Sequence, residues 1–340
     1  MTRTDMVEWT ENGVYCRAGG FYIDPWRPVP KAVITHGHAD HARWGCDEYL
    51  CAAEGEPVLR TRLGESARLR TLDYAVPLDV NGLKLSLHPA GHILGSAQVR
   101  LEHRGKVVVV TGDVKTDADA TCRAFEPVRC HTLITESTFG LPVFRWPSRE
   151  AVFREIDVWW RQNRSRGNTS VLFAYALGKA QRILAGLDAS IGPIFTHGAV
   201  EKFNRCYRTA GVRLPDTGYV GDVVDKTSFE GAMVIAPPSA DTPAWTKKFP
   251  SPVRGFASGW MRIRGHRRRR SVDRGFVLSD HADWDGLLAV IDAAGAESVG
   301  VTHGYATELA RWLQEKGLHA EVIQSPYSGG GEPEIEANTE

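Results

Sequence analysis

The stretch Thr35-His36-Gly37-His38-Ala39-Asp40-His41 constrains this chain more than any other. Three histidines and one aspartate fall within six positions, directly after a short apolar run. Imidazoles and carboxylates this dense are costly to hold together unless a divalent cation draws them inward, and mixed nitrogen and oxygen donors suit zinc. His36 and His38 can face one point while Asp40 and His41 face another. The spacing therefore predicts a loop that serves two metal ions.

Composition is typical of a soluble globular protein, with 42% hydrophobic and 24% charged residues. Lys+Arg and Asp+Glu both total 41, so net charge says nothing about a polyanionic partner. The apolar runs are too short to span a bilayer, and the N-terminus lacks the apolar region of a secretory signal. Six cysteines without a C-x-x-C pair predict reduced thiols. These features predict a cytoplasmic protein with no membrane association.

Polar residues follow one predicted strand after another. The alternating run 82–89 leads into His92, and the two glycines at 91 and 95 allow the unusual backbone angles of a tight loop. The apolar run 106–111 leads to Asp113. In the same way the run 132–135 ends in Glu136, and later runs lead to His281 and His303. Packing alone would favour apolar or turn residues at such positions, so we expect these side chains to meet in one site.

Two further features near the first strands are less decisive. Asp24 closes an apolar strand before Pro25, which fits a functional carboxylate and a turn-forming aspartate equally well. The segment Pro57-Val58-Leu59 is predicted as a strand, and 60–70 as a weak helix.

The pattern changes near residue 147. Residues 148–161 predict an amphipathic helix with Ser148 as N-cap and an apolar face that includes Val158. Alternating strands and helices follow, which predicts a second α/β unit of roughly 120 residues. The tail from residue 328 onward is predicted to be disordered.

An arginine-rich run spans residues 262–274 and contains Arg267, Arg268, Arg269 and Arg270. Such a run is either a solvated surface or an anion-binding face, and arginine is well suited to gripping phosphate. In a neutral chain, its concentration favours a localised anion-binding face. Lys179 and Arg182, on a predicted helix at 177–187, are further candidates for phosphate contacts.

Taken together, these motifs resemble a known family. Asp24, His36-x-His38-x-Asp40-His41, His92 and Asp113 are similar, in order and context, to the metallo-β-lactamase fold. Three later motifs resemble those of the β-CASP nucleases: Glu136 in Thr-Glu-Ser-Thr-Phe-Gly, His281 in Ser-Asp-His-Ala-Asp and His303 in Thr-His-Gly. Gly-Trp-Met before the arginine run resembles, more narrowly, the bacterial ligase-associated DNA exonuclease branch.

The resemblance implies an α/β fold, an αββα metallo-β-lactamase sandwich with an inserted α/β β-CASP domain. The sandwich would comprise residues 1–145 and 271–326, the inserted domain residues 146–270 with the basic strip near its end, and the tail residues 327–340.

The resemblance also implies residue roles. One divalent metal ion would take His36, His38 and His92. A second would take Asp40, His41 and His303, with Asp113 bridging. Zinc is expected, and manganese would also fit the carboxylates. Asp24 would orient a metal-binding histidine. Asp40, Glu136 and His281 would be catalytic, with His281 as general acid oriented by Glu136.

The implied activity is that of a metal-dependent DNA exonuclease, acting 5′ to 3′ in DNA end processing or repair. The alternative is an RNase of the RNase J or 3′-end-processing type, since His303 is typical of RNA-acting members. Hydrolysis of a small ester or lactam is disfavoured by the inserted domain and the arginine run. DNA is the expected partner, and a DNA ligase and a helicase are implied only by the branch resemblance.

Overall fold

The structure is a computed structural model that describes residues 6–270 and 272–324. The backbone of 264–270 is described, but the side chains of Arg267, Arg269 and Arg270 are not. The predicted disordered tail at 327–340 lies outside the described residues. Within these ranges, no helix combines the length and the apolar character that a membrane span requires.

Two units divide the described residues. The first combines residues 6–145 with residues 281–324, and the second comprises residues 146–280. The second junction lies after residue 280, ten positions beyond the boundary expected from the sequence. Residues 272–280 therefore belong to the second unit in this division. The names given to the two domains remain predictions.

Residues 6–145 form mostly strands. The strands are β1 (Val7–Thr10), β2 (Gly13–Cys16), β3 (Phe21–Ile23), β4 (Lys31–Val33), β5 (Glu48–Ala52), β6 (Leu69–Leu72), β7 (Leu78–Val80), β8 (Leu83–Pro89), β9 (Ala97–His103), β10 (Lys106–Val110) and β11 (Thr132–Glu136). The helices are a 3₁₀ turn at Ala53–Gly55 and α1 (Glu56–Leu63). The strands expected near 82–89, 106–111 and 132–135 are thus confirmed.

Helix α1 corrects the expectation around residue 57. Pro57 lies in the first turn of α1 and not in a strand. A proline is accommodated there because the N–H that it lacks would have no partner within the helix. The helix ends at Gly64, whose φ of 91° lies outside the range that other residues readily adopt. The segment expected to be helical up to residue 70 instead enters strand β6.

Residues 146–280 contain α2 to α6 and β12 to β17. Their bounds are α2 (Arg149–Arg164), β12 (Ser170–Phe173), α3 (Lys179–Gly186), β13 (Ile194–Thr196), α4 (Gly198–Thr209), β14 (Gly218–Tyr219), β15 (Met233–Ala236), α5 (Pro243–Thr246), β16 (Val253–Ala257), α6 (Arg264–Arg270) and β17 (Arg274–Phe276). Short 3₁₀ turns lie at Val220–Asp222, Lys226–Phe229, Pro238–Ala240 and Gly259–Arg262. The remaining segment, 281–324, forms α7 (Trp284–Ala294), β18 (Ser298–Thr302), α8 (Ala306–Glu315) and β19 (His319–Val322).

Helix α2 confirms the predicted cap and corrects the predicted face. The hydroxyl of Ser148 accepts a hydrogen bond from Ala151 N at 3.3 Å, as an N-cap does. Val158 was expected on the apolar face but is 52% exposed. The buried stripe instead runs through Ile156, Trp159 and Trp160, since helical periodicity leaves position 158 on the opposite side.

Two mixed sheets form the first unit. Their strand orders are β1-β2-β3-β4-β5-β6 and β19-β18-β11-β10-β9-β8-β7. In the second sheet β10, β11, β18 and β19 run parallel. The register pairs Glu136 with Thr302, so the ends of β11 and β18 lie side by side. Residues separated by more than 160 positions are thereby brought to one edge of the sheet.

The two sheets of the first unit pack face to face. Residues such as Val33 of β4 and Leu85 of β8 share the core between them. On the outer face of the first sheet, Leu59 of α1 packs with Ile34. Helices α7 and α8 pack on the outer face of the second sheet through residues that include Leu287. The layers of this unit are therefore helix, sheet, sheet and helix, and the structure is mixed α/β.

The second unit contains one six-stranded sheet of order β14-β13-β15-β12-β16-β17. Every neighbouring pair in it is parallel. The central strands β12 and β15 are fully buried, as is expected of a parallel sheet covered on both faces. The strand and helix alternation predicted from the sequence is confirmed.

Candidate metal centre

The loop that follows β4 gathers its side chains by specific bonds. Thr35 N donates to Asp24 Oδ1 at 2.8 Å, which ties the start of the loop to the end of β3. The other end of the loop is fixed by a turn, in which Ala42 N donates to His38 O at 2.8 Å. The loop is therefore held at both ends, and its histidines are buried or half-buried.

Four donor atoms converge at a first point. His36, His38, His92 and Asp113 each offer one atom, and these atoms all lie within 4.8 Å of one another. His38 Nδ1 lies 3.1 Å from His36 Nε2 and 3.0 Å from His92 Nε2. Asp113 Oδ2 lies 3.4 Å from His36 Nε2 and 3.6 Å from His92 Nε2. Donor atoms bound tetrahedrally at about 2.1 Å lie roughly 3.4 Å apart, so this set fits one zinc ion.

The second oxygen of Asp113 faces a different set. Asp113 Oδ1 lies 3.5 Å from His41 Nε2, and Asp40 Oδ2 lies 3.7 Å from the same nitrogen. His41 Nε2 is buried and makes no hydrogen bond to any described residue. Such a nitrogen is costly unless it meets a donor or an ion. The ring of His303 stacks on that of His41, with centroids 5.5 Å apart.

Asp24 holds His41 in one orientation. Its Oδ2 lies 2.8 Å from His41 Nδ1 and accepts from the Thr35 hydroxyl at 2.5 Å. A carboxylate on Nδ1 favours the tautomer with the proton there, which leaves Nε2 as the electron-pair donor. The backbone at Asp24 is left-handed, with φ of 44°, an angle that aspartate tolerates better than most residues.

Glycines let the loop that carries His92 approach other backbone closely. Gly91 and Gly95 have φ near 75°, as expected from the sequence. A Cβ on Gly95 would lie 2.1 Å from the backbone of Gly55, so no other residue fits without movement. The Ser96 hydroxyl accepts from His92 N at 3.1 Å. His92 is consequently fixed in a fully buried position.

Backbone geometry at the end of β18 directs His303 to the same site. His303 has a left-handed φ of 56°, which is unusual for a residue other than glycine. The Ser137 hydroxyl, just after β11, donates to the carbonyl oxygens of Thr302 and His303. These bonds couple the ends of the two strands that the register places together.

Glu136 and His281 form a closely bonded pair. His281 Nδ1 lies 2.9 and 3.0 Å from the two carboxylate oxygens of Glu136. Glu136 is 1% exposed and also accepts from Val114 N at 2.8 Å and Thr138 N at 3.2 Å. His281 Nδ1 lies 3.9 Å from Asp113 Oδ2, so the pair adjoins the first donor set. Glu136, Asp113 and His281 also form a three-residue donor group.

The electrostatics of the centre favour charged carboxylate at Asp113 and neutral imidazole at His92, whereas at His41 the carboxylates of Asp113, Asp40 and Asp24 outweigh burial and hold the pKa of the imidazole well above its usual value. Burial alone would raise the pKa of Asp113, but the charges of His41 and His281 hold it well below its usual range. Desolvation by burial, and then the neighbouring His281, holds the pKa of His92 well below its usual value. A divalent cation requires deprotonated ligands, so a cation bound at His41 would displace the proton of that ring and would itself balance the charge of the carboxylates. The residues present therefore fit the expected metals.

The remaining candidates lie elsewhere. Lys179 and Arg182 are 3% and 2% exposed, so they do not present an open phosphate-binding surface. Lys179 Nζ pairs with Asp280 Oδ1 at 3.0 Å, and Arg182 Nη1 donates to Ser279 O at 2.8 Å. Their interior partners explain their burial, and we leave both out of the nucleic-acid interface.

The arginine run is described only in part. Its residues 264–270 form helix α6, and Arg268 is exposed. The side chains of Arg267, Arg269 and Arg270 lie outside the described part of the structure. Their contact with nucleic acid stays a prediction.

Three polar supports of the site were not identified from the sequence. Thr35, Ser96 and Ser137 each bond to a site residue or to its backbone. All three are adjacent in sequence to the motifs that contain the predicted ligands. This proximity is the sequence signal that could have identified them as supports of the site. Their roles depend on tertiary contacts, which single-sequence patterns do not encode.

Comparison with known proteins finds relatives whose names state a function. No protein-family model matches the chain. "Probable DNA ligase" from Opitutus terrae is 32% identical over 314 residues, covering 92% of this chain and 30% of that protein. "Endoribonuclease YSH1" from Yarrowia lipolytica is 31% identical over 166 residues, covering 46% of this chain and 20% of that protein. "Transcription termination factor FttA" from Methanocaldococcus jannaschii is 31% identical over 199 residues, covering 47% and 31%.

These relatives confirm the resemblance of the chain to the β-CASP metallo-β-lactamase nucleases. The chain spans less than a third of the length of each of these relatives. A solved structure from Enterococcus faecalis, titled as a protein of unknown function, matches the chain with a TM-score of 0.59 at 11% identity. That match covers 88% of this chain and 80% of the other, and it bears on the fold alone.

Proposed function

We propose that the chain is a two-metal phosphodiesterase that degrades DNA from its ends, 5′ to 3′, in end processing or repair. The observation that carries this proposal is the position of Asp113, whose two oxygens face two different donor sets. A single carboxylate shared in this way is the arrangement that two adjacent cations require. We also propose that the first unit is the αββα metallo-β-lactamase sandwich and that the second is the β-CASP domain.

The donor sets define how the metals would be held. His36, His38 and His92 would bind one zinc ion, Asp40, His41 and His303 would bind the other, and Asp113 would bridge them. When bound, the pair supplies Lewis-acid stabilisation of phosphate charge and a hydroxide nucleophile at neutral pH. Manganese is the alternative metal, since the carboxylates suit it as well.

The protein's own residues would manage the proton. Phosphodiester cleavage leaves an alkoxide, which needs a proton as the bond breaks. Glu136 binds His281 at Nδ1, so the ring would deliver that proton from Nε2. Because Glu136 is buried and bonded to two backbone N–H groups, it holds the imidazole in one orientation. Asp40 would help to position the nucleophile beside the second donor set.

The choice of DNA rests on the extent of similarity. The relative named as a DNA ligase matches 92% of this chain, whereas the endoribonuclease relative matches 46%. We further propose a DNA ligase and a helicase as partners and a cytoplasmic location. An RNase of the RNase J or 3′-end-processing type is the second candidate, because two of the compared relatives carry names connected with RNA or transcription.

One experiment tests the activity and the choice of nucleic acid. An end-labelled single strand is supplied as DNA and as RNA to the purified zinc-loaded chain, beside the Asp113→Ala variant. We expect stepwise loss of nucleotides from the 5′ end of DNA, slower attack on RNA, and no activity in the variant. A variant with wild-type activity would refute the two-metal mechanism, and preference for RNA would favour the second candidate.

A second experiment tests the arginine run. Replacing Arg267, Arg268, Arg269 and Arg270 together with glutamine should raise KM and flatten the salt dependence of DNA binding. Metal content should stay at the wild-type level. A matched control replaces four exposed arginines of the second unit outside the run, namely Arg154, Arg166, Arg205 and Arg213. Loss of metal in the quadruple variant would instead indicate a structural role for the run.

A further inference from the structure

A cavity of about 490 Å³ lies in the first unit, away from the donor residues described above. Strands β4 and β5 line it from the first sheet, and β7 and β8 line it from the second. Lys31 and Glu48, the first residues of β4 and β5, both contribute to it. All three residues of β4 line the cavity and the metal loop follows this strand, but none of the donor residues lines the cavity.

The walls of the cavity are apolar. Phe21, Val33 and Leu50 line it from the first sheet, and Leu78, Val80 and Leu85 line it from the second. Phe21, Val33 and Leu85 are buried, whereas Leu50, Leu78 and Val80 are half-buried. Since β6 and β7 are the outermost strands of their sheets, the cavity lies between two sheet edges. Its volume is that of a site for a small organic molecule.

Charged side chains stand where the sheet should present apolar ones. Alternate residues of a strand share a face, so Lys31 shares the inner face of β4 with Val33, and Arg70 shares that of β6 with Leu72. The register places Lys31 beside Glu48 and Arg70 beside Leu50. The packed part of such a face normally excludes charges, and these side chains lie where the face opens to solvent.

These charges carry an excess of positive sign. Lys31, Arg68 and Arg70 line the cavity together with a single carboxylate, that of Glu48. All four side chains are exposed, and none forms an ion pair with any residue in 6–270 or 272–324. Three cations against one anion, at the mouth of an apolar space, match a ligand with an anionic head and an apolar body.

We propose that this cavity binds a medium-chain carboxylate, with its head at Arg68, Arg70 and Lys31 and its chain between the two sheets. The guanidinium groups bind the carboxylate, and the apolar walls take the methylene groups out of water. This site is independent of the nuclease activity proposed above, because it shares no residue with the donor sets.

The test is a calorimetric titration of the full chain with decanoate below its micelle concentration, with and without added zinc. We expect saturable binding that does not depend on the metal. Octanoate, shorter by two methylene groups, should bind roughly sixteen-fold more weakly, since each methylene contributes about fourfold. Decanol and decyltrimethylammonium keep the chain but lack the anionic head, and each should bind at least about tenfold more weakly.

Variants separate this site from adventitious binding. Arg68→Gln with Arg70→Gln should weaken decanoate binding by about tenfold or more, whereas the matched pair Arg205→Gln with Arg213→Gln should leave it unchanged. Leu78→Trp, which places a larger side chain in the path of the decanoate chain, should weaken binding. If that variant fails to fold, the arginine pair decides the matter, because both side chains are exposed. Wild-type affinity in the Arg68 and Arg70 variant, or equal binding of decyltrimethylammonium, would overturn the proposal.

Discussion

The Asp24→Asn substitution changes one carboxylate oxygen of the metal centre, which contacts His41 and the Thr35 hydroxyl. Asp24 adopts a φ of 44°, and asparagine accepts this left-handed backbone as readily as aspartate does. The amide oxygen can still accept from Thr35 N, which is bonded at 2.8 Å. The group facing His41 Nδ1 changes from an acceptor into an NH₂ donor, and the Thr35 hydroxyl, which donates to the same oxygen, must then accept from the amide. The substitution therefore leaves the fold of the loop in place and alters the partner of His41.

The expected magnitude follows from the tautomer of His41. An NH₂ group beside Nδ1 favours the tautomer that carries its proton on Nε2, the nitrogen that faces Asp113 Oδ1 at 3.5 Å. A protonated Nε2 cannot donate an electron pair to a metal. Loss of such an orienting carboxylate typically weakens metal affinity by about 10- to 100-fold, or roughly 1.4–2.7 kcal/mol. The loss should fall mainly on the ion of the second set, because Asp24 contacts His41 directly and reaches His36 only through the Thr35 hydroxyl, which lies 3.0 Å from His36 Nδ1.

A competition titration measures this effect directly. The metal-free chain is titrated with zinc against a chromophoric chelator, and two stepwise affinities are fitted. We expect the wild type to hold two ions and Asp24→Asn to hold one ion normally and the second about 10- to 100-fold more weakly. Asp292→Asn, an exposed aspartate of α7, is the matched control. Two unchanged affinities in Asp24→Asn would refute the orienting role, and equal weakening of both would refute the division into two donor sets.

Three further predictions follow from the same geometry. Glu136→Gln should lower kcat on DNA by about 100-fold or more with metal content unchanged, because it weakens the acceptor that holds His281. Single-turnover rates measured beside metal analysis check this prediction. Loss of metal in this variant would argue against a positioning role for Glu136. Asp113→Ala should bind neither ion tightly, since both donor sets lose a member; a stoichiometry of two by metal analysis would contradict the shared carboxylate. Burial raises the pKa of Cys51 to about 12, from 9.0 for an ordinary thiol, so the free energy of unfolding should fall as pH rises from about 9 toward 12, where the unfolded chain binds fewer protons. Denaturant midpoints across this range should fall more steeply in the wild type than in Cys51→Ala, and equal slopes would show that the thiol contributes nothing.

The sequence predicted the site best where several metal-binding side chains lie close together along the chain. His36 to His41 carries its donors within one loop, so composition and spacing sufficed to indicate a metal site. His92, Asp113 and Glu136 could be added because each follows an apolar strand. The structure gathers these side chains within a few ångströms, although their binding of metal stays a prediction.

The sequence predicted least where tertiary packing decides. Lys179 and Arg182 lie on a helix as expected, but only the folded unit places Asp280 and Ser279 against them. Val158 satisfied an apolar pattern by composition, yet the helix turns it outward. Pro57 disfavoured a helix by its usual propensity, and its place in the first turn reversed that effect. For Lys179 and Arg182 the deciding contacts lie outside the local sequence window, whereas Val158 and Pro57 depend on where each helix begins and which face it buries.

The parallel pairing of β11 with β18 has a consequence for biosynthesis. Strand β11 ends at Glu136, and its neighbour β18 begins at Ser298. A ribosome adds about 5–20 residues each second, so β11 waits roughly 8–30 s for its partner while the whole second unit is made. During that interval one side of β11 has no partner strand, and His303 has not yet been synthesised. The donor sets can therefore be completed only after His303 has been translated, and early metal capture would be limited to the ligands up to Asp113.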